Sequence, residues 1–148
     1  MPNSVQEYRK GGYSITTDST KVDINVVHGF LSQCYWAKGI PKDIVKRSVD
    51  NSLCFSLFDG DKQIGLARVI LDYATYAYIG DVFILETHRG RGLSKWLMSC
   101  IMSHPDLQGL RRWSLLTRDA HELYQKFGFT QPGNLERYME ILHKDIYR

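Results

Sequence analysis

The chain has 148 residues, 43% of them hydrophobic and 24% charged, the size and composition of one ordinary globular domain. Its formal charge of +3, from 19 basic and 16 acidic residues, is too small to indicate a nucleic-acid surface. The polar start Met1-Pro2-Asn3-Ser4 lacks the apolar segment of a leader peptide, and no apolar run approaches the roughly 20 residues that cross a bilayer.

Taken in chain order, Tyr13–Thr17 reads as a first strand and Val22–Tyr35 as a helix, with Asp18, Ser19 and Thr20 as candidate N-caps. Gly39-Ile40-Pro41 breaks the chain, and Pro41 suits the first turn of a second helix over 41–49. Leu53–Phe58, the turn Asp59-Gly60-Asp61-Lys62 and the strand Gln63–Leu71 form a hairpin. Tyr76–Leu85 is a further strand. Leu93, Trp96, Leu97, Cys100 and Ile101 then fall on one face of an amphipathic helix, which His104-Pro105 ends. Trp113–Thr117 reads as a short buried strand. Ala120, Leu123, Tyr124 and Phe127 mark another helix, with Asp119 at its N-terminal end and Gly128 closing it. Tyr138–Ile141 reads as a last strand. Strands joined directly by turns pair antiparallel, whereas a strand–helix–strand unit pairs parallel. The expected fold is therefore a single α/β domain over 1–148, a mixed sheet with antiparallel N-terminal strands, a parallel central pair and helices on both faces.

The three cysteines, Cys34, Cys54 and Cys100, are odd in number and lie in apolar stretches. They favour a reducing, cytoplasmic setting over a disulfide framework. Neither they nor the five scattered histidines have metal-ligand spacing, and no metal is assigned.

The most informative segment is the turn Arg89-Gly90-Arg91-Gly92 between a strand and a helix. Two glycines spaced by one residue let the backbone take positive φ and come close to a ligand. Main-chain N–H groups can then converge as a nest at the positive end of a helix. Arg89, Arg91 and Lys95 add charge, so a pyrophosphate would suit the turn; a bare linker is the alternative. The P-loop pattern is absent, and Lys95 stands where the dinucleotide fingerprint needs its third glycine.

This turn, followed by Leu123-Tyr124-Gln125-Lys126-Phe127-Gly128-Phe129, resembles the GNAT superfamily of N-acetyltransferases, in which an R-G-x-G turn precedes an L-Y-x-x-F-G-F helix. The element order also resembles that family. Departures are Thr87 in place of Gln or Arg, Ser94 in place of glycine, and Thr117 in place of asparagine. The resemblance implies acetyl-CoA as donor. Phe83, Ile84 and Leu85 would then offer main-chain groups to the pantetheine arm in the manner of an added strand. Arg89, Gly90, Arg91, Gly92, Leu93 and Ser94 would hold the pyrophosphate, and Lys126 would meet the 3′-phosphate, with Lys95 near the adenosine end.

The acceptor implied is a primary amine of a small molecule or peptide, with neither nucleic acid nor membrane as partner. An amine with a pKa near 10.4 must lose a proton before it attacks, and the departing thiolate must gain one. The resemblance makes Tyr124 the candidate acid; by pattern alone it is a core tyrosine. Asp81 interrupts an apolar strand, where a carboxylate is costly unless paired or functional, and is the candidate base, with Asp72 as a substitute. Tyr35, Trp36 and Arg68 are candidate acceptor contacts. Arg68 could instead pair with Asp81, and the aromatic pair could be core. A non-catalytic acyl-CoA-binding module is the alternative function, and the C-terminal strand is a candidate homodimer surface.

Overall fold

A computed structural model describes residues 4–148; Met1–Asn3 of the polar start lie outside the described residues. A single sheet has its six strands in sequence order: β1 (Glu7–Lys10), β2 (Tyr13–Thr16), β3 (Leu53–Asp59), β4 (Lys62–Leu71), β5 (Tyr76–Ile84) and β6 (Arg112–Leu115). The first four pairings are antiparallel. β6 joins β5 in parallel, because the helix between them returns the chain to the same end of the sheet. The mixed sheet expected from the sequence is present, with one addition at its start. Glu7–Lys10 is too polar to read as a strand, but it pairs with β2 as an exposed edge.

Two helices cover one face. α1 (Ile24–Leu31) is capped by Asp23, whose carboxylate accepts from Asn25 and Val26 N–H. Asp18, one of the residues expected to cap it, instead caps the short 3-10 turn Ser19–Lys21. α1 ends at Leu31, earlier than the expected Tyr35, and the chain runs as turns to Gly39. α2 spans Lys42–Asp50. Val27, Leu31, Val45 and Val49 pack here with Leu66 and Phe83 of the sheet, and Phe30 stacks on Phe83 at 4.1 Å.

α3 (Leu93–Ser103) covers the other face with Leu97, Met98, Cys100 and Ile101, against Phe55, Ile64, Val69 and Ile79. Truncating a fully buried leucine such as Leu97 to alanine costs about 2–5 kcal/mol. α4 is short, His121–Gln125, and buries Tyr124 against the same core. Its N-cap is Ala120 rather than Asp119; the Thr117 hydroxyl accepts from the Ala120 N–H at 3.0 Å.

The expected last strand, Tyr138–Ile141, does not form. Among the described residues they have no strand partner, and residues 130–148 are exposed without exception. Their apolar pattern suits a strand, but a strand needs a neighbouring edge, and this segment does not lie paired on one in its own chain. Among the described residues, no helix is long and apolar enough to cross a membrane.

Candidate functional site

β5 and β6 pair over only four positions, from Tyr76↔Arg112 to Ile79↔Leu115. The pairing ends at Leu115, the last residue of β6, and β5 carries an irregularity just beyond that point. The β4–β5 register shifts by one between Leu66↔Phe83 and Arg68↔Gly80, so Asp81 and Val82 face the single residue Ala67. Such a bulge bends its strand and raises its local twist. Asp81 takes φ +53, a left-handed conformation that Asp tolerates better than most residues.

Past the bulge, strand alternation divides the three residues expected to offer main-chain groups. The Leu85 N–H donates to the Ile64 carbonyl at 2.8 Å. The Phe83 carbonyl faces Gly65, where an added Cβ would stand 2.8 Å from it. Both residues therefore turn their main chain inward to β4. Ile84 turns its main chain away from β4, and its carbonyl accepts from Arg89 Nε at 3.0 Å.

The glycine turn follows the end of β5 and precedes α3. Gly90 and Gly92 have φ +79 and +74, and no atom lies within 4 Å of a Cβ built on either. Conformation, not crowding, requires glycine there. Gly92 is the N-cap of α3 and supplies no side-chain cap, so the first N–H groups of an eleven-residue helix remain open to an anion. Arg91 is held from two sides, donating to the Tyr13 hydroxyl at 2.7 Å and to the Thr87 carbonyl at 3.5 Å. His88 bonds Thr87 Oγ1 at 2.8 Å through Nδ1 and Asp59 Oδ2 at 2.9 Å through Nε2. Sequence reasoning missed Tyr13, Asp59 and His88, because each lies in a different segment and carries no motif. Lys126 is exposed at the C-terminal end of α4, and Lys95 on the first turn of α3.

On the α1–α2 face, Asp81 meets two of the residues expected at the acceptor pocket. One carboxylate oxygen accepts from Arg68 Nε at 2.7 Å, the other from the Trp36 indole N–H at 2.9 Å. Arg68 also donates to Ser52 Oγ at 3.1 Å. Both charged side chains are mostly buried, 18% and 12% exposed. Neighbouring Tyr35 packs its ring against Trp36 and carries the Arg118 guanidinium 3.9 Å above its centre. It also lies near enough to Tyr124 to act on its titration. Burial, with smaller contributions from Asp119 and Tyr35, pushes the Tyr124 hydroxyl above the ordinary phenol range and keeps it protonated at neutral pH. Of this adjacent pair, Trp36 touches the candidate base and Tyr35 packs on Trp36.

Asp72 is placed elsewhere. Its carboxylate accepts from Ala74, Thr75 and Tyr76 N–H and from the Thr75 hydroxyl, and these bonds lower its pKa. It builds the β4–β5 turn. An open cleft of about 520 Å³ lies between α1 and the end of β5, lined in part by Phe30, Cys34, Leu85 and Arg89. Burial pushes the Cys54 thiol up to about 12 and the Cys100 thiol to about 11, so neither is a nucleophile at neutral pH. Among the described residues, no three His, Cys, Asp or Glu side chains group to hold a metal ion.

Residues 50–131 match the family model of the acetyltransferase (GNAT) domain. A Gibberella zeae protein bearing an acetyltransferase name is 30% identical over 144 residues, covering 82% of this chain and 80% of its own length. A crystal structure of a GNAT-family protein from Xanthomonas campestris pv. campestris is 52% identical, with a TM-score of 0.89 over 91% of this chain and 96% of that one. A Clostridium acetobutylicum structure described with acetyl-CoA shares the fold at 14% identity, with a TM-score of 0.63 over 88% of this chain and 94% of that one.

Proposed function

The chain belongs to the GNAT acetyltransferase family, and on that premise we propose that it transfers an acetyl group from acetyl-CoA to a primary amine of a small molecule or peptide, by direct attack with both substrates bound. The observation that best supports this reading is the continuity of two features. The Asp81 bulge of β5 and the Gly90–Gly92 turn at the head of α3 lie at the two ends of one stretch, residues 81–92, for which no pairing with β6 is seen among the described residues. A donor with an extended arm and a diphosphate fits that path. The N–H groups of Val82 and Ile84 meet the arm, while the turn amides and Arg91 meet the diphosphate. Leu93 and Ser94 continue that cradle into the helix, and Lys126 meets the far phosphate.

The donor supplies an activated thioester. Tyr124, protonated at neutral pH, gives its proton to the departing thiolate. Asp81 receives the proton from the attacking amine, directly or through water, while Arg68 and Trp36 fix its orientation. Tyr35 and Trp36 form the aromatic side of the acceptor pocket, and holding the amine beside the thioester supplies much of the rate.

The deciding experiment incubates the protein with acetyl-CoA and a panel of amines and follows free thiol. Amine-dependent release that Tyr124→Phe abolishes supports the proposal. Tight acetyl-CoA binding with no release against any amine favours a non-catalytic acyl-CoA-binding module instead.

A further inference from the structure

Asp81 and Arg118 stand at the two ends of one run of contacts. The Trp36 indole N–H donates to Asp81 at 2.9 Å. The Trp36 and Tyr35 rings meet edge to face with their centres 5.1 Å apart, and the Arg118 guanidinium lies 3.9 Å from the centre of the Tyr35 ring. Tyr35 and Trp36 belong to the connection between α1 and α2, Arg118 to the connection between β6 and α4. Two loops distant in sequence therefore meet, with a carboxylate at one end of an aromatic platform and a cation at the other. Both rings are about half exposed, 51% and 43%, so each offers surface to a ligand.

The two arginines beside this platform differ in what they have left to donate. Arg68 is mostly buried, and its Nε and one terminal nitrogen are taken by Asp81 and Ser52. Drawing it to a ligand would strip a mostly buried Asp81 of its counter-charge. Arg118 has no hydrogen-bond partner among the described residues. Its side chain is 65% exposed, and Asp119, 4.0 Å away, is 76% exposed, a pair that contributes little. Stacking on Tyr35 restrains the guanidinium while leaving its N–H edge unused. A restrained guanidinium with a free edge suits a planar anion, a carboxylate above all.

We infer that the acceptor is an amine that also carries a carboxylate. Its amine meets Asp81, its spacer lies on Tyr35 and Trp36, and its carboxylate pairs with Arg118. The inference rests on the acetyl-transfer reading for the reacting end and adds the chemistry of the other end. The same cation repels a second ammonium, so a diamine of equal length is a poor acceptor.

The test compares the natural protein with Arg118→Gln and Arg118→Lys. The acceptors are straight-chain amino acids from glycine to aminohexanoate, each beside its carboxamide and the matching diamine. Thiol release from acetyl-CoA gives KM, and calorimetric titration with the same compounds in the presence of coenzyme A gives affinity without turnover. For at least one length the carboxylate form should bind about tenfold or more better than its carboxamide, with the diamine poorest. That ratio should fall to near one in Arg118→Gln and survive in part in Arg118→Lys, with equal melting temperatures. Thiol release without a carboxylate preference, or a preference that Arg118→Gln retains, would overturn the inference and leave acetyl transfer standing. An Arg118-dependent preference in the titration, with no thiol release from any amine, would overturn acetyl transfer and leave the carboxylate site standing. Neither binding nor release would overturn both.

Discussion

The indole N–H of Trp36 donates to the Asp81 carboxylate at 2.9 Å across 45 positions of sequence. The bond ties the α1–α2 connection to the strained residue of the β5 bulge, which the Arg68 ion pair holds from the sheet side. One carboxylate thus links the α1–α2 connection to the bulge that follows the last β5–β6 pair.

Trp36→Phe keeps the ring and removes the donor. We expect KM for the acceptor to rise several-fold, since a hydrogen bond to a charged group contributes about 1.5–3 kcal/mol when buried and less at a half-exposed ring. KM for acetyl-CoA should stay near its natural value. Steady-state kinetics with each substrate varied separately checks this, and an equal rise in both KM values would contradict it.

Tyr124→Phe should lower kcat by about 100-fold or more, the usual contribution of a positioned acid, with little change in acetyl-CoA affinity. Because burial keeps the hydroxyl protonated, activity of the natural protein should fall at alkaline pH and that limb should vanish in the variant. Rate–pH profiles of both proteins provide the comparison.

Tyr13→Phe removes the hydroxyl that orients Arg91 from the neighbouring strand. The expected result is a weaker donor site, with KM for acetyl-CoA raised about three- to tenfold, as for loss of one hydrogen bond of about 1 kcal/mol. Gly92→Ala should weaken the same site and also lower stability by about 1–2 kcal/mol, the cost of a Cβ at positive φ. Thermal melts and donor titration separate the two effects.

His104 provides a pH test of the core. Its Nδ1 accepts from Asp106 N–H at 3.0 Å, its Nε2 has no partner among the described residues, and burial, outweighing Asp106, lowers its pKa below 6.5. The folded chain resists a proton that the unfolded chain accepts, so the stability contribution is whole above pH 6.5 and is lost as pH falls through the lower folded value. His104→Asn retains an N-cap acceptor and removes the titration. Between pH 7 and 5 its melting temperature should fall less steeply than that of the natural protein.

Much of this was legible in local sequence. Apolar periodicity located α3 and α4, since burial of one face imposes its period on the residues; Pro41 marked the start of α2, and apolar runs bounded by turns marked strands β2 to β6. The spacing of Gly90 and Gly92 marked the turn, because positive φ at both excludes most side chains. The polar strand β1 was not legible, since an edge strand buries little. Nor was the role of Asp72, whose turn bonds use a residue type equally suited to catalysis.

By itself the sequence determined the element order, the mixed sheet, the glycine turn and the placing of Tyr124 on a buried helix face, all consequences of short-range pattern. Only the tertiary structure decided that Asp81 sits in a bulge between Arg68 and Trp36, that Leu85 turns its N–H to β4 while the Ile84 carbonyl meets Arg89, that Tyr13 reaches Arg91, and that Tyr138–Ile141 finds no strand to join among the described residues. The physical reason is that hydrogen-bond partners and strand pairing are set by residues far apart in sequence, which no local periodicity encodes.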